Sequence, residues 1–393
     1  MGKLKNADKK RHVRLHLFLR KLLGGLFCKW FHYEYEPVER VESPFILLAN
    51  HNGDLDPVLI SIAFPQQMYF VASEHIFRKG FWSRALLYIC APIPRMKGST
   101  DAAAALEVIR RVRAGDNVCL FAEGNRSYTG VTGPVFPATG KLVKASGATL
   151  YTYRFEGGYL TTPRWGKSIR RGKMTGRVAN VYTPEQLAKM SADEVNEAIA
   201  RDIYEDAFIT QEKLRIAYRG KDRAEYLETA LYACPVCKKL NTMKSRGDEF
   251  TCTNCGFTVS FDEQGFFTGK HVPFKTVRDW DAWQNERVRA FAESLGDETA
   301  YADEDVELQA VGANHSFERV ACGRMTMSKR ELRIGRAAFL LSEITGMGLF
   351  GKAKIAFTDA VGKHYEIKFP VARCGRKYFT LYELLRNKAG ARA

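Results

Sequence analysis

Residues 50–57 read NHNGDLDP and set a histidine and an aspartate five positions apart, directly after the apolar run PFILLA. Histidine is the side chain whose ordinary pKa suits a general base near neutral pH. A carboxylate on its far ring nitrogen fixes the tautomer and supports the imidazolium that forms. His51 and Asp56 are therefore candidates for removing a proton from an attacking hydroxyl. Taken alone the pair is weak evidence, because this spacing arises in roughly one shuffled chain in three. A competing expectation makes Asp56, or Asp54, an N-cap, since Pro57 is a natural first helical residue.

Two further stretches carry chemistry. In FAEGNRS (121–127), Arg126 suits a phosphomonoester, because its planar fork meets two phosphate oxygens and Gly124 lets the backbone come close. In CPVCKKLNTMKSRGDEFTCTNCG, two CxxC pairs place Cys234 and Cys237 before Cys252 and Cys255. Two such knuckles make a closed thiolate cage that suits structural zinc, with no open position for a catalytic metal. The other five cysteines are scattered, a usage that fits a reducing compartment.

These residues need elements to position them. Between about 44 and 185, short apolar runs alternate with helical segments: FILLAN, MYFVAS, NVCLFAE and ATLYTY read as strands, PVLISIAF, GFWSRALLYIC and DAAAALEVIRRVRAG as helices. Such alternation predicts an α/β sheet flanked by helices, whose chemistry gathers in loops past the carboxyl ends of strands. Both NHNGDLD and EGNRS follow predicted strands. Backbone N–H groups near Asn52 and Gly53 are the expected oxyanion donors by position.

In order, NHNGDLD (50–56), APIPR (91–95) and FAEGNRS (121–127) resemble the blocks of the glycerolipid acyltransferases, the lysophosphatidic acid (1-acylglycerol-3-phosphate) acyltransferase family. The resemblance covers about residues 40–180. It implies O-acyl transfer from acyl-CoA or acyl carrier protein to the free hydroxyl of a lysophosphatidic-acid-like acceptor, giving phosphatidic acid. His51 and Asp56 would be the general base pair, with no acyl-enzyme, since the surrounding sequence offers no obvious Ser or Cys nucleophile. Arg126, Gly124 and Arg95 would bind the acceptor phosphate, and Glu123 would orient Arg126 or the acceptor hydroxyl. Asn125 stands where the family commonly has Thr, Ala122 where it often has Pro, and APIPR lacks the usual leading Gly. The expected Pro is also missing from GATLYTY (147–153). These departures bear on the acceptor, so glycerol-3-phosphate or another lysophospholipid is the alternative.

Sixty Lys+Arg against 44 Asp+Glu give a net charge of +16, which favours an acidic partner. The leading segment KNADKKRHVRLHLFLRKLLGGLFCKWFHYEYEP places Leu15, Leu19, Leu22, Leu26 and Trp30 on one stripe among basic residues, a pattern for an in-plane membrane helix or for a helix packed on the protein's own core, and for a helix pair if Gly24 and Gly25 bend it. The stretch PRWGKSIRRGKMTGR (163–177) adds six Lys/Arg, suited to an anionic lipid surface or, alternatively, to a solvated basic loop. No window reaches the roughly 18 uninterrupted apolar residues of a spanning helix, and no signal peptide is read. The expected location is therefore the cytoplasmic face of a membrane, as a peripheral or monotopic protein.

The expected layout is a basic amphipathic helix (1–36), an α/β acyltransferase domain (37–185), a helical connector (186–232), a four-cysteine zinc ribbon (233–274), a helix with an acidic linker (275–318) and a mainly-β domain with a closing helix (319–393). The last resembles a pleckstrin-homology-like barrel. A non-catalytic zinc ribbon that binds nucleic acid or lipid is the rival from another class. It leaves three ordered blocks unexplained, and nucleic acid is not the expected partner.

Overall fold

The computed structural model describes residues 5–38, 41, 43–78, 80–96, 102–312, 316–352, 354–370 and 373–390. These residues divide into two compact units with the main boundary at 220–221. Among them, no helix is long and apolar enough to cross a membrane.

The first unit opens with α1 (Asn6–Phe31), a single helix and not the pair that two glycines made conceivable. Gly24 is buried where α1 meets the helix that carries Ile62, and a Cβ there would sit 3.6 Å from that side chain, an ordinary packing contact. The strands β1 (Tyr33–Tyr35), β2 (Phe45–Ala49), β3 (Tyr69–Ser73), β4 (Ile93–Arg95), β5 (Val118–Phe121), β6 (Thr149–Glu156) and β7 (Met174–Tyr182) form one sheet. Its order is β1-β7-β6-β2-β5-β3-β4, parallel except for the β6–β7 pair. Helices α2 (Asp56–Ala63), α3 (Phe81–Cys90), α4 (Ala102–Arg113) and α5 (Ala138–Ser146) connect the strands, and the short α6 (Gly158–Thr161) follows β6.

Strand β2 is fully buried and shows why a continuous apolar run works here. Phe45, Leu47 and Ala49 face a core that includes Phe31 and Leu59, while Ile46 and Leu48 face the opposite core with Val108 and Ile199. Ala49 is level with Phe121 of β5 on one side and Tyr153 of β6 on the other. The segments leaving these three strands therefore emerge side by side at one edge of the sheet.

Of the stretch expected to be a connector (186–232), residues 186–220 belong to this unit and the rest to the second. The part in this unit forms α7 (Pro184–Lys189), α8 (Ala192–Asp202) and α9 (Ala207–Leu214), and α8 buries Val195, Ala198 and Ile199, a helical stripe against the sheet. Charge on the outer face of α8 masked that stripe in the composition.

The second unit begins with the cysteine module. Strands β8 (Met243–Arg246), β9 (Glu249–Cys252), β10 (Thr258–Phe261) and β11 (Phe267–Thr268) form an antiparallel sheet. Helix α10 (Val277–Ser294) packs on it through Trp280, whose ring meets Phe250, Phe257 and Phe267 and whose N–H donates to Ala233 O at 2.9 Å.

The acidic stretch 290–318 is not a bare linker, because it contains β12 (Tyr301–Val311). That strand lies at the centre of an antiparallel sheet with β13 (Phe317–Met327), β14 (Glu331–Ile334), β15 (Ala337–Leu340), β16 (Gly346–Phe350), β17 (Lys354–Thr358) and β18 (His364–Lys368), in the order β15-β14-β13-β12-β18-β17-β16. Phe339 of β15 meets Phe357 of β17 and Tyr365 of β18 at 5.0 Å, so the sheet curls until its β15 edge packs over those two strands. Helix α11 (Arg376–Gly390) closes this mainly-β domain. Asp303 explains why an acid-rich run can be a buried strand: it pairs with Lys377 Nζ at 2.5 Å and accepts from Tyr378 OH at 2.8 Å.

Candidate active site

The loop after β2 is held from three sides. His51 Nδ1 lies 2.9 Å from Asp56 Oδ2, and the Asp56 side chain is 1% exposed against 20% for His51. The same Oδ2 accepts from the backbone N–H of Asn52 at 2.7 Å and of Gly53 at 2.9 Å. Asp56 is thus the first residue of α2 but does not cap it: its carboxylate turns back to the loop, and no side chain caps this helix. Asn52 and Gly53 give their N–H groups to Asp56, which removes them as the oxyanion donors expected from position. One face of the His51 ring stacks on Phe121, with centroids 4.0 Å apart.

Glu123 follows β5 and is buried. Its Oε1 accepts from His51 N at 2.7 Å and its Oε2 from Gly133 N at 2.6 Å. Among the described residues no bond joins it to Arg126, the partner its sequence position suggested; its carboxyl holds the backbone of the histidine. Burial pushes its carboxyl up to about 8, against the pull of those two N–H donors.

Sequence reasoning missed Glu205, between α8 and α9. Its Oε1 accepts from Gly157 N at 2.7 Å, and its Oε2 from Asn52 Nδ2 at 2.7 Å and Asn50 Nδ2 at 3.3 Å. Asn50 in turn exchanges two hydrogen bonds with the backbone of Phe155, continuing the β2–β6 ladder with a side chain. Burial raises the Glu205 carboxyl as well, to about 8, while Gly157 and Asn52 oppose the shift. Nothing in its surroundings RDIYEDAF marks it, although the two asparagines flanking His51 were a visible sign that this loop needs amide partners.

The predicted phosphate residues gather at the turn after β5. Gly124 has φ +65°, and a Cβ there would strike the Phe136 ring and lie 2.9 Å from Arg95 Nη1, so only glycine fits. The Arg95 guanidinium lies over Phe136, 4.9 Å from the ring centroid. Arg126 is 14% exposed and pairs with Asp54 Oδ2 at 3.3 Å, an aspartate that is itself 84% exposed. Arg164 is a second residue the motifs did not indicate. It is buried, stacks 4.2 Å over Tyr128, and donates to Asn125 Oδ1 at 3.4 Å and to Arg126 O at 3.2 Å. With Arg170 also buried, the basic stretch 163–177 is not simply a lipid-facing loop.

The four cysteines converge separately, within the second unit. Cys234 and Cys255 sulfurs are 3.7 Å apart, as are those of Cys237 and Cys252, and all four lie within 4.8 Å of one another. Zinc–sulfur bonds of about 2.3 Å in a tetrahedron put sulfurs about 3.8 Å apart, so the set fits zinc; disulfides would need about 2.05 Å. Backbone N–H groups face each sulfur in a repeated pattern, Lys239 towards Cys237 and Phe257 towards Cys255.

Residues 31–156 match the family model described as Acyltransferase. Among solved structures, the chain is similar to the 1-acyl-sn-glycerophosphate (LPA) acyltransferase PlsC from Thermotoga maritima, with 19% identity, a TM-score of 0.43, and coverage of 54% of this chain and 85% of that one. At that TM-score the likeness is a distant one. No curated protein matches.

Proposed function

We propose, from the match of residues 31–156 to the family model described as Acyltransferase, that this protein moves a fatty acyl group from a thioester donor, acyl-CoA or acyl carrier protein, to the hydroxyl of 1-acylglycerol-3-phosphate. The observation that carries the reading is the 2.9 Å contact between His51 Nδ1 and the buried Asp56 carboxylate. With the proton held on Nδ1, the Nε2 lone pair accepts the proton of the acceptor hydroxyl as its oxygen attacks the thioester carbonyl. Asp56 supports the imidazolium so formed. Collapse of the tetrahedral intermediate breaks the C–S bond, and the departing thiolate takes the proton back from Nε2. The products are phosphatidic acid and the free thiol of the carrier.

Direct transfer without an acyl-enzyme agrees with the neighbouring nucleophiles. Ser127 Oγ donates to Val131 O at 2.8 Å and accepts from Gly130 N at 2.9 Å, and Cys119 is buried within β5. Arg126 would receive the acceptor phosphate, which displaces the exposed Asp54 from its fork, with Arg95 as a second cation. The closed four-cysteine set would hold a structural zinc and supply no chemistry to the transfer.

The surface of the first unit supports work at a membrane face. On α1, Phe18, Leu22, Leu26 and Trp30 are 50–61% exposed; Leu15 and Leu19 of the expected stripe turn partly inward. Helix α3, which packs beside α1, exposes Phe81 at 73% and Trp82 at 72%. Large apolar side chains grouped in this way mark a contact surface, and basic residues on α1 favour anionic lipid. Sedimentation with anionic vesicles that is unchanged in Phe81→Glu/Trp82→Glu would contradict this placement.

The decisive assay gives the protein labelled acyl-CoA or acyl carrier protein, anionic vesicles and, in parallel, lysophosphatidic acid, glycerol-3-phosphate or lysophosphatidylcholine. Labelled phosphatidic acid from the first acceptor is expected. Transfer to either of the others alone would reassign the acceptor, and transfer to none would refute the reading.

A further inference from the structure

Glu205 lies outside the segment that matches the acyltransferase model, yet it is the hub beneath the histidine loop. Its own place is fixed before it touches that loop. Its backbone N–H donates to Thr132 Oγ1 at 2.8 Å, and its carbonyl accepts from Thr132 N at 2.9 Å. Val131 and Asp206 form a bridge beside it, and Asp206 Oδ1 caps α9 by accepting from Phe208 N at 3.0 Å. The carboxylate therefore projects from a short ladder, not from a free loop.

What it grips is the pair of asparagines on either side of His51. Asn50 is tied to β6 through Phe155 and to Glu205, while Asn52 is gripped twice, by its side-chain amide at Glu205 and by its backbone N–H at Asp56. Gly157, on the other carboxylate oxygen, leads into Gly158, where a Cβ would lie 2.8 Å from Asn52 Cβ. Asn52 is thus pressed between the turn after β6 and the aspartate that holds the imidazole.

We infer that Glu205 is a positioning residue for acyl transfer: by fixing Asn50, Asn52 and Gly157 together it sets the place of the Asp56 carboxylate, and through it the aim of His51. The inference rests on the proposed acyl transfer for its kinetic consequence, but the restraint it describes belongs to the loop itself. Removing the carboxylate frees Asn52, which frees one of the three donors that fix Asp56. A misplacement of about 1 Å at a reacting group costs about a hundredfold in rate, so the loss falls on kcat and not on substrate binding.

Glu205→Ala, Glu205→Gln and a control, Ile199→Ala, test it. Ile199 is buried on α8, so its truncation loosens the same support without touching the carboxylate. Glu205→Ala is expected to lower kcat about a hundredfold with both KM values within about twofold. Glu205→Gln keeps an acceptor for Gly157 and can donate to an Asn52 amide turned end for end, so it is expected to recover about tenfold of that loss. Ile199→Ala is expected to lower Tm and leave kcat near wild type when assayed well below its melting temperature. A folded Glu205→Ala with wild-type kcat, or a loss no larger than that of Ile199→Ala, overturns the inference. The proton on His51 Nδ1, followed by NMR in histidine-labelled protein, separates this result from the fate of the functional reading. It is expected to be protected from exchange in wild type and to lose protection in Glu205→Ala, whether or not the protein proves to transfer acyl groups. Unchanged protection overturns the positioning role, and wild-type inactivity with lost protection in the variant overturns only the acyl transfer.

Discussion

Replacing Asp56 by Asn separates two contributions that usually fall together. Three N–H groups converge on Asp56 Oδ2: His51 Nδ1 at 2.9 Å, Asn52 N at 2.7 Å and Gly53 N at 2.9 Å. An asparagine must present its carbonyl oxygen there, because an amide nitrogen would face two backbone N–H groups. Asp56→Asn therefore keeps the loop and the histidine tautomer and removes only the charge. A unit charge pair at about 4 Å interacts by about 4 kcal/mol at an effective dielectric of 20, and the amide dipole restores part of it. A loss of about 2–4 kcal/mol remains, or ~30- to 900-fold in kcat. Asp56→Ala deprives all three donors of their acceptor and costs about 1–3 kcal/mol of stability for each N–H left buried and unpaired. Single-turnover transfer of labelled acyl donor on vesicles, with urea melts of both variants, measures the difference. Asp56→Asn with wild-type kcat would remove the carboxylate from the reaction. Asp56→Asn as slow as Asp56→Ala, both folded, would show that the three N–H groups do not choose the oxygen.

Other outcomes follow from the same geometry. Asp54→Asn is expected to lower KM for a phosphorylated acceptor several-fold, since Asp54 and the phosphate compete for the Arg126 fork; an unchanged or higher KM contradicts that competition. Purified protein is expected to contain one zinc, and Cys252→Ser or chelation to lower Tm through α11 and β12, because Asn241 of the cysteine module bonds Lys377 at 3.0 Å and Asp303 at 3.4 Å; protein free of zinc with an unchanged melt contradicts it. Glu123 and Glu205 both have carboxyl pKa values raised by burial to about 8, so the folded state holds more protons than the unfolded one between about pH 4.5 and 8. Their contribution to stability is complete below that window and is lost as pH rises through it. Urea midpoints should fall from pH 5 to 8, less steeply in Glu123→Gln; an equal slope in the two proteins contradicts the assignment.

The sequence made the frame of the site legible because its parts are local. FILLA is apolar at every position and must be a strand covered on both faces, and a polar loop after such a strand lies at the sheet edge where ligands bind. His51, Asp56, Gly124 and Arg126 belong to that local pattern, and the cysteine spacing needs no partner outside its own module. The support of the loop is not local. Glu205 stands 153 residues from Asn52 in the chain and meets it only because α8 packs on the sheet. A carboxylate in a charged helical stretch carries no sign of such a role. Charge was a poor guide in two further places. Acidic residues made β12 read as a linker, although Asp303 is neutralised by Lys377 from α11. The basic composition of 163–177 likewise gave no sign that Arg164 is buried against Tyr128 and bonded to the EGNRS turn.

The role of His51 is tested directly by the acyl-transfer assay with lysophosphatidic acid and anionic vesicles, run on wild type and on His51→Ala at equal folded concentration. Wild type is expected to form labelled phosphatidic acid, and His51→Ala to lose at least ~100-fold in kcat while its circular dichroism and melt stay native. Equal rates in the two proteins would contradict the assignment of His51 as the base.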